Sequence, residues 1–254
     1  MLLEFVGFDT ADEYRLLNRR GTSKIELFGN IFLFRDQKIM GETKQEIEAK
    51  FYVRDLKKIT TRLHELKEQL IQPRVLETNI RFDLPDASLS SDRRVLRLRR
   101  DSEARLTYKD PSQNEQGVLS RTEIEFTVSD FEKAKQFLEA LGYQPIFYYE
   151  KYRTTYVIQP SEGSKPSGGS LHIMLDELPY GNFVEIEGDS LESIREVASQ
   201  LSLKWDTAIA TSYHALFKRL CATHSDLDPT HLTFAALNGL NISAEELSVH
   251  AADG

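Results

Sequence analysis

The strongest constraint on how this chain folds is a series of short segments in which charged and apolar residues alternate. Successive side chains of a strand point to opposite faces. Glu46-Ile47-Glu48-Ala49-Lys50-Phe51 therefore puts Ile47, Ala49 and Phe51 on one face, with two carboxylates and an ammonium on the other. The pattern recurs. Arg97 and Arg99 lie opposite Leu96 and Leu98, and Arg105, Thr107 and Lys109 lie opposite Leu106 and Tyr108. Arg121, Glu123 and Glu125 oppose Ile124 and Phe126, Glu185 and Glu187 oppose Val184 and Ile186, and Lys151 aligns with Arg153. Glu77, Asn79, Arg81 and Asp83 add a further polar face. An open antiparallel sheet with one solvated face explains any single strand of this kind. Three Glu-x-Glu pairs with Arg-x-Arg and Lys-x-Arg pairs argue for a barrel that turns its charge inward.

The residue types name a ligand class. Grouped carboxylates repel unless a cation sits between them, and hard divalent cations prefer oxygen ligands and often bridge to phosphates. Clustered Arg and Lys call for an anion, and the guanidinium fork suits phosphate oxygens. Interleaved, the two sets point to a metal-bound polyphosphate. Histidines are few, and His224 and His231 lie far from the alternating segments, so a zinc site is unsupported.

Strand-like segments fall near 46–53, 76–84, 94–100, 104–109, 118–128, 147–158, 171–176 and 182–188. Turn residues separate several, including Asp110-Pro111 and Pro179-Tyr180-Gly181. Asp55 caps an expected helix carrying Leu56, Ile59, Leu63, Leu66 and Leu70. Ser129-Asp130-Phe131-Glu132 has the spacing of a capping box, with Gly142 at the far end of the helix. A third helix is expected from Leu191 to Leu201 behind Ser190, and a fourth from about Thr207 to Leu220. Ser161–Ser170 reads as a Gly/Ser/Pro hairpin loop rather than a phosphate cradle, since no Lys-Ser/Thr ending follows. Residues 1–44, with a short hairpin expected over Ile25–Phe34, form an extension of unknown role. Residues 45–220 form the barrel domain and 221–254 a flexible tail.

The chain of 254 residues is 40% hydrophobic, enough for a substantial core. Its formal charge of −8 disfavours a nucleic-acid coat. No apolar run approaches the ~20 residues that span a bilayer, and the start lacks the features of a secretory signal. The lone Cys221 fits a reducing compartment. The expectation is a soluble cytoplasmic protein, monomer or homodimer, with no nucleic-acid or membrane partner.

Several segments in order resemble the CYTH superfamily, the triphosphate tunnel metalloenzymes. Glu46-Ile47-Glu48-Ala49-Lys50 is similar to that family's Glu-x-Glu-x-Lys signature, and Val95–Arg100 to its basic strand. Leu106–Pro111 resembles its Leu-Thr-x-Lys-Gly-Pro segment, with Asp110 in place of Gly. Arg121–Glu125, Lys151–Arg153, Leu175–Gly188 and Ser212-Tyr213 extend the resemblance over roughly 45–217. Arg81 departs from it, standing where an aromatic residue is common. The resemblance implies an α+β fold, an eight-stranded antiparallel β-barrel with flanking helices whose tunnel binds triphosphate. It implies that Lys50, Arg97, Arg99, Lys109, Arg121 and Arg153, with Lys151 beside them, hold phosphate oxygens. Glu46, Glu48, Glu123, Glu125, Asp176, Glu185 and Glu187 would be ligands of Mg2+ or Mn2+, with Glu46, Glu48 and Lys50 as the catalytic set. Three readings stay open: a triphosphatase releasing orthophosphate, a class IV adenylyl cyclase making cyclic AMP and pyrophosphate from ATP, and a polyphosphate or nucleotide sensor without turnover. Phe147, Tyr148 and Tyr149 are read as barrel packing in preference to a base-stacking platform.

Overall fold

The computed structural model describes residues 44–115, 118–158 and 171–254. The extension at 1–43, its expected hairpin and the loop at 161–170 lie outside them. The first strand, β1 (Lys44–Val53), leads to helix α1 (Leu56–Glu65), which Asp55 caps by accepting from Lys57 N–H at 2.9 Å. Next come β2 (Gln69–Asp83), the one-turn helix α2 (Ser88–Ser91), β3 (Val95–Arg100), β4 (Ala104–Lys109) and a short β5 (Gln113–Glu115). After β6 (Val118–Val128) follow α3 (Phe131–Ala140), β7 (Gln144–Ile158), β8 (Leu171–Leu178), β9 (Gly181–Gly188) and α4 (Leu191–Gln200). The chain ends with α5 (Tyr213–Thr223) and a two-residue β10 (His231–Leu232).

Eight strands close a ring in the order β1-β9-β8-β7-β2-β3-β4-β6, and β6 pairs back to β1. All eight ladders are antiparallel, and the strands are not spaced evenly round one axis. The expected eight-stranded barrel is the fold. The strand β5 folds back on β6, and β10 adds to β7 in parallel. Bulges interrupt β2 between Leu70 and Gln72 and between Gln72 and Val75, beside Pro73, which lacks the N–H a ladder needs. They let β2 start at Gln69, well before the expected 76.

Two apolar cores lie outside the ring. Ala49, Phe51, Val53, Val184 and Ile186 pack under α1 and α4, whose Leu63 and Ile194 are fully buried. Ile80, Phe82, Leu96 and Leu98 pack beneath Leu89 of α2 and Phe131 and Leu138 of α3. Parity thus sends the apolar faces of β1, β3 and the second half of β9 outward to helices and their charged faces into the ring. Asp83, at the end of β2, serves the backbone: its carboxylate accepts from Leu84, Leu89 and Ser90 N–H. Gly181 turns β8 into β9 at φ +151°, and an added Cβ would lie 2.9 Å from the Tyr52 ring.

Three expectations are corrected. The cap of α3 is Asp130, accepting from Lys133 N–H at 3.0 Å, one residue beyond Ser129. The fourth helix does not run from Thr207. A 3-10 turn spans Trp205–Thr207, Ile209 N–H donates to Lys50 O at 2.8 Å, and α5 begins only after Ser212, which caps it. Residues 221–254 are not a free tail. Leu227, Leu232, Leu237, Leu247 and Val249 join Phe147, Phe183, Leu216 and Phe217 in a third core. Tyr148 N–H donates to Thr230 O, Ala252 N–H donates to Tyr52 O, and the Asp253 carboxylate accepts from Arg54 and Asp55 N–H. Burial of that many leucines outweighs the entropy of a loose segment.

Candidate active site

Inside the ring lies a cavity of about 580 Å³, in the range of small-molecule sites. Eight bases line it: Lys50, Arg81, Arg97, Arg99, Lys109, Arg121, Lys151 and Arg153. Five carboxylates line it with them: Glu48, Glu123, Glu125, Glu185 and Glu187. Every base expected to hold phosphate is in this lining. Of the expected metal ligands, all but Glu46 and Asp176 are. Glu46 stands in β1 opposite Arg121, and its side chain lies outside the described residues.

Asp176 is not in the lining. It is 0% exposed, and it accepts from Lys151 Nζ at 2.9 Å, from Arg153 Nε and Nη2 at 2.6 Å, and from Tyr213 Oη at 2.9 Å. Glu77 is its counterpart on β2, 1% exposed, with Lys151 at 3.4 Å, Arg99 at 3.7 Å and Arg153 at 3.8 Å. Burial by itself would raise the Glu77 carboxyl, but Lys151, Arg153, Arg99 and Arg97 together bring it down to about 2. Sequence reasoning placed Glu77 only on a polar face; what singles it out is its position opposite Lys151 in the β2–β7 ladder.

The other acids pair within the wall. Glu185 contacts Arg153 and lies 3.1 Å from Lys50 Nζ. Burial opposes its charge, yet Lys50, Arg153 and Lys151 hold it well below the usual carboxylate range. Burial likewise works against the Lys50 ammonium, but Glu185 and Glu48 outweigh it and leave the group above its ordinary value. Lys50 also sits 4.2 Å over the Tyr213 ring, a cation–π contact. Glu125 lies 3.1 Å from Arg99 and 3.6 Å from Arg97 and accepts from Thr107 Oγ1 at 2.8 Å. Lys109 meets Glu123 at 2.7 Å, and Arg121 meets Glu48 at 3.6 Å. Arg105, on the same face of β4, turns to Asp101 and Glu103.

One corner is different in kind. Phe147 is 1% exposed and packs against Tyr149, His214 and Phe217. Tyr148 faces the other way and stacks on His231, with rings 5.0 Å apart. Tyr148 is packing, as expected; Phe147 and Tyr149 are packed as well, yet both also line the cavity. The lining also includes Ser212, Tyr213 and His214 from the start of α5, of which the sequence signalled only Ser212-Tyr213.

The donor set fits a hard divalent cation in chemistry, being carboxylate throughout, and Glu48 stands directly opposite Glu187 in the β1–β9 ladder. Two carboxylates across a strand pair repel unless a cation intervenes. Among the described residues no three of His, Cys, Asp and Glu are already gathered into a metal-holding group. No helix among the described residues is long and apolar enough to cross a membrane.

Residues 44–205 match the CYTH domain. A protein of Methanocaldococcus jannaschii named as a candidate adenylate cyclase is 27% identical over 169 residues, 66% of this chain and 95% of that protein. The crystal structure of a candidate adenylate cyclase from Vibrio parahaemolyticus superposes with a TM-score of 0.58 at 19% identity, covering 68% of this chain and 98% of the other. A Hippeastrum protein, described as a candidate adenylyl cyclase with dominant triphosphatase activity, gives a TM-score of 0.50 at 17% identity, covering 68% and 95%.

Proposed function

Because the chain belongs to the CYTH domain family, we propose that it hydrolyses a triphosphate, releasing orthophosphate, with Mg2+ or Mn2+ as cofactor. The observation that carries this reading is the wall itself: eight bases interleaved with five carboxylates in one cavity. Phosphoryl transfer asks a protein chiefly for positioning and for neutralisation of charge on the non-bridging oxygens. Arg97, Arg99, Lys109, Arg121, Lys151 and Arg153, all in the cavity lining, would clamp those oxygens. Lys50, held as an ammonium by Glu185 and Glu48, adds a charge that stays through neutral pH. Glu48 and Glu187, with Glu46, would hold the divalent cation, and Glu123, Glu125 and Glu185 complete the set of available oxygens. When bound, the cation supplies a Lewis acid at the phosphoryl oxygens. In the reaction a water oxygen bonds to the terminal phosphorus as the bridging P–O bond breaks. Asp176 serves by orienting Lys151 and Arg153. The single Cys221 suits a cytoplasmic setting.

The second reading, conversion of ATP to cyclic AMP and pyrophosphate, is favoured by the name of the Methanocaldococcus jannaschii relative. The Hippeastrum protein is named for the cyclase and described by its triphosphatase activity, so the fold alone does not choose between them. Purified protein incubated with Mg2+ or Mn2+ and tripolyphosphate, thiamine triphosphate or ATP decides the matter. Orthophosphate release is the expected result, and cyclic AMP with pyrophosphate would replace the hydrolase by the cyclase. Tight binding with no product would make the protein a sensor and overturn both.

A further inference from the structure

Among the described residues Arg81 is the one cavity base with no Asp or Glu at ion-pairing distance. A hydrogen bond joins its Nη1 to His214 Nδ1 at 2.9 Å, and its Nε is buried without a partner. In the ladders it stands directly opposite Arg97 on β3 and Phe147 on β7. Like charges facing each other across a strand pair repel, and Asp83, the acid that acts on Arg81, does so from beyond ion-pairing distance with its carboxylate already taken by Leu84, Leu89 and Ser90 N–H.

His214 brings no relief. Burial, then Arg81 and Lys218, hold its imidazole down at about 3, so at neutral pH it is an uncharged ring accepting from Arg81. It seats the guanidinium without neutralising it. Phe147 is 1% exposed, with His214 4.1 Å and Tyr149 5.4 Å from its centroid. Both Phe147 and Tyr149 reach the cavity lining, but at 1% and 8% exposure they leave little aromatic surface for a base to stack on. A neutral base would also leave the guanidinium charge unmatched in a desolvated corner. An anion would answer both the charge and the spare donors.

We infer that Arg81, seated by His214, takes a terminal phosphoryl group, and that the preferred substrate is an inorganic polyphosphate chain rather than a nucleoside triphosphate. This rests on the triphosphate reading of the cavity and makes Arg81 a specificity-determining residue.

The test compares tripolyphosphate with ATP on the whole 254-residue chain, by calorimetric titration in EDTA and by kcat/KM in Mg2+. Wild type is expected to favour tripolyphosphate. Arg81→Gln should weaken tripolyphosphate binding and kcat/KM by about tenfold or more, the loss of one charge-assisted contact, and change ATP by less than about threefold. Arg81→Lys should restore part of the loss, which separates lost charge from a disturbed fold. His214→Gln, which keeps the charge and removes its seat, should move the same selectivity in the same direction. Equal losses for both ligands, no loss, or a wild type that prefers ATP would overturn the inference while leaving the triphosphate reading in place. Failure of wild type to bind either ligand would overturn that reading and this inference together.

Discussion

Replacing Glu77 by Gln should destabilise the ligand-free protein more than any exposed substitution in the barrel. The side chain is 1% exposed and lies within 3.8 Å of Lys151, Arg99 and Arg153. Gln keeps the shape and removes the charge that holds three bases together. The carboxyl lies at about 2 against 4.5 for an unperturbed Glu. At about 1.4 kcal/mol per pH unit, that difference corresponds to about 3 kcal/mol of folding free energy at neutral pH. Loss of one partner from a buried ionic cluster costs ~3–5 kcal/mol elsewhere, so two routes give a similar magnitude. The sign follows from a lowered folded-state value. The contribution is complete above the unfolded carboxyl's 4.5 and is lost as pH falls from there through about 2. Urea unfolding of wild type and Glu77→Gln at pH 7, and at steps below pH 5, should give a gap of about 3 kcal/mol that narrows as the pH drops. Added tripolyphosphate should narrow it as well, because phosphate oxygens then face the same bases. A gap under about 1 kcal/mol at pH 7, or one indifferent to acid, would refute the view that Glu77 holds this cluster together.

Glu48→Gln should abolish orthophosphate release while retaining most tripolyphosphate binding, whereas Arg99→Ala should weaken binding too; steady-state rates with calorimetric titration separate the two. EDTA should stop turnover, and Mg2+ or Mn2+ should restore it, as read by phosphate release. Leu247→Ala removes a fully buried side chain and should cost about 2–5 kcal/mol in urea unfolding. A loss of a few tenths would mean that the C-terminal segment packs far more loosely than its burial implies.

Much of the fold was legible because the ring is built on strict alternation. Period 2 survives in β1, β3, β4, β6 and β9, and in β1, β3 and β9 the apolar partners of those charges are residues under the helices. It fails in β2, where bulges around Pro73 break parity and hide the first half of the strand. The C-terminal segment failed for another reason. Leu227, Leu232, Leu237 and Leu247 follow neither a helical nor a strand period, since they fill gaps beside Phe147 and Phe217 and form no regular face. The start of α5 was misplaced because Ile209 fits the helical spacing, yet its N–H is taken by the Lys50 carbonyl. That bond is a tertiary event without a local signal.

The site's residue types were legible, but their division of labour was not. Parity says that an acid faces inward; it does not say how deep it sits. Read by parity alone, Asp176 belongs with Glu185 and Glu187, and Glu77 is merely polar. The structure separates them by depth, because bases crowded into one wall repel and need fixed counter-charge. Asp176 and Glu77 provide it from behind the lining, each touching two or more of Lys151, Arg153 and Arg99. Their cost of burial is offset only while those bases stay paired. Carboxylates nearer the cavity, such as Glu48 opposite Glu187, keep oxygens facing the space a ligand would enter. A wall that binds a triphosphate thus needs two kinds of acid, one that holds the bases in place against their mutual repulsion and one that meets the cation arriving with the substrate. Arg81 is the exception: among the described residues no acid stands at ion-pairing distance from it, Asp83 acting only at longer range, and in the proposed reading the substrate is its counter-ion.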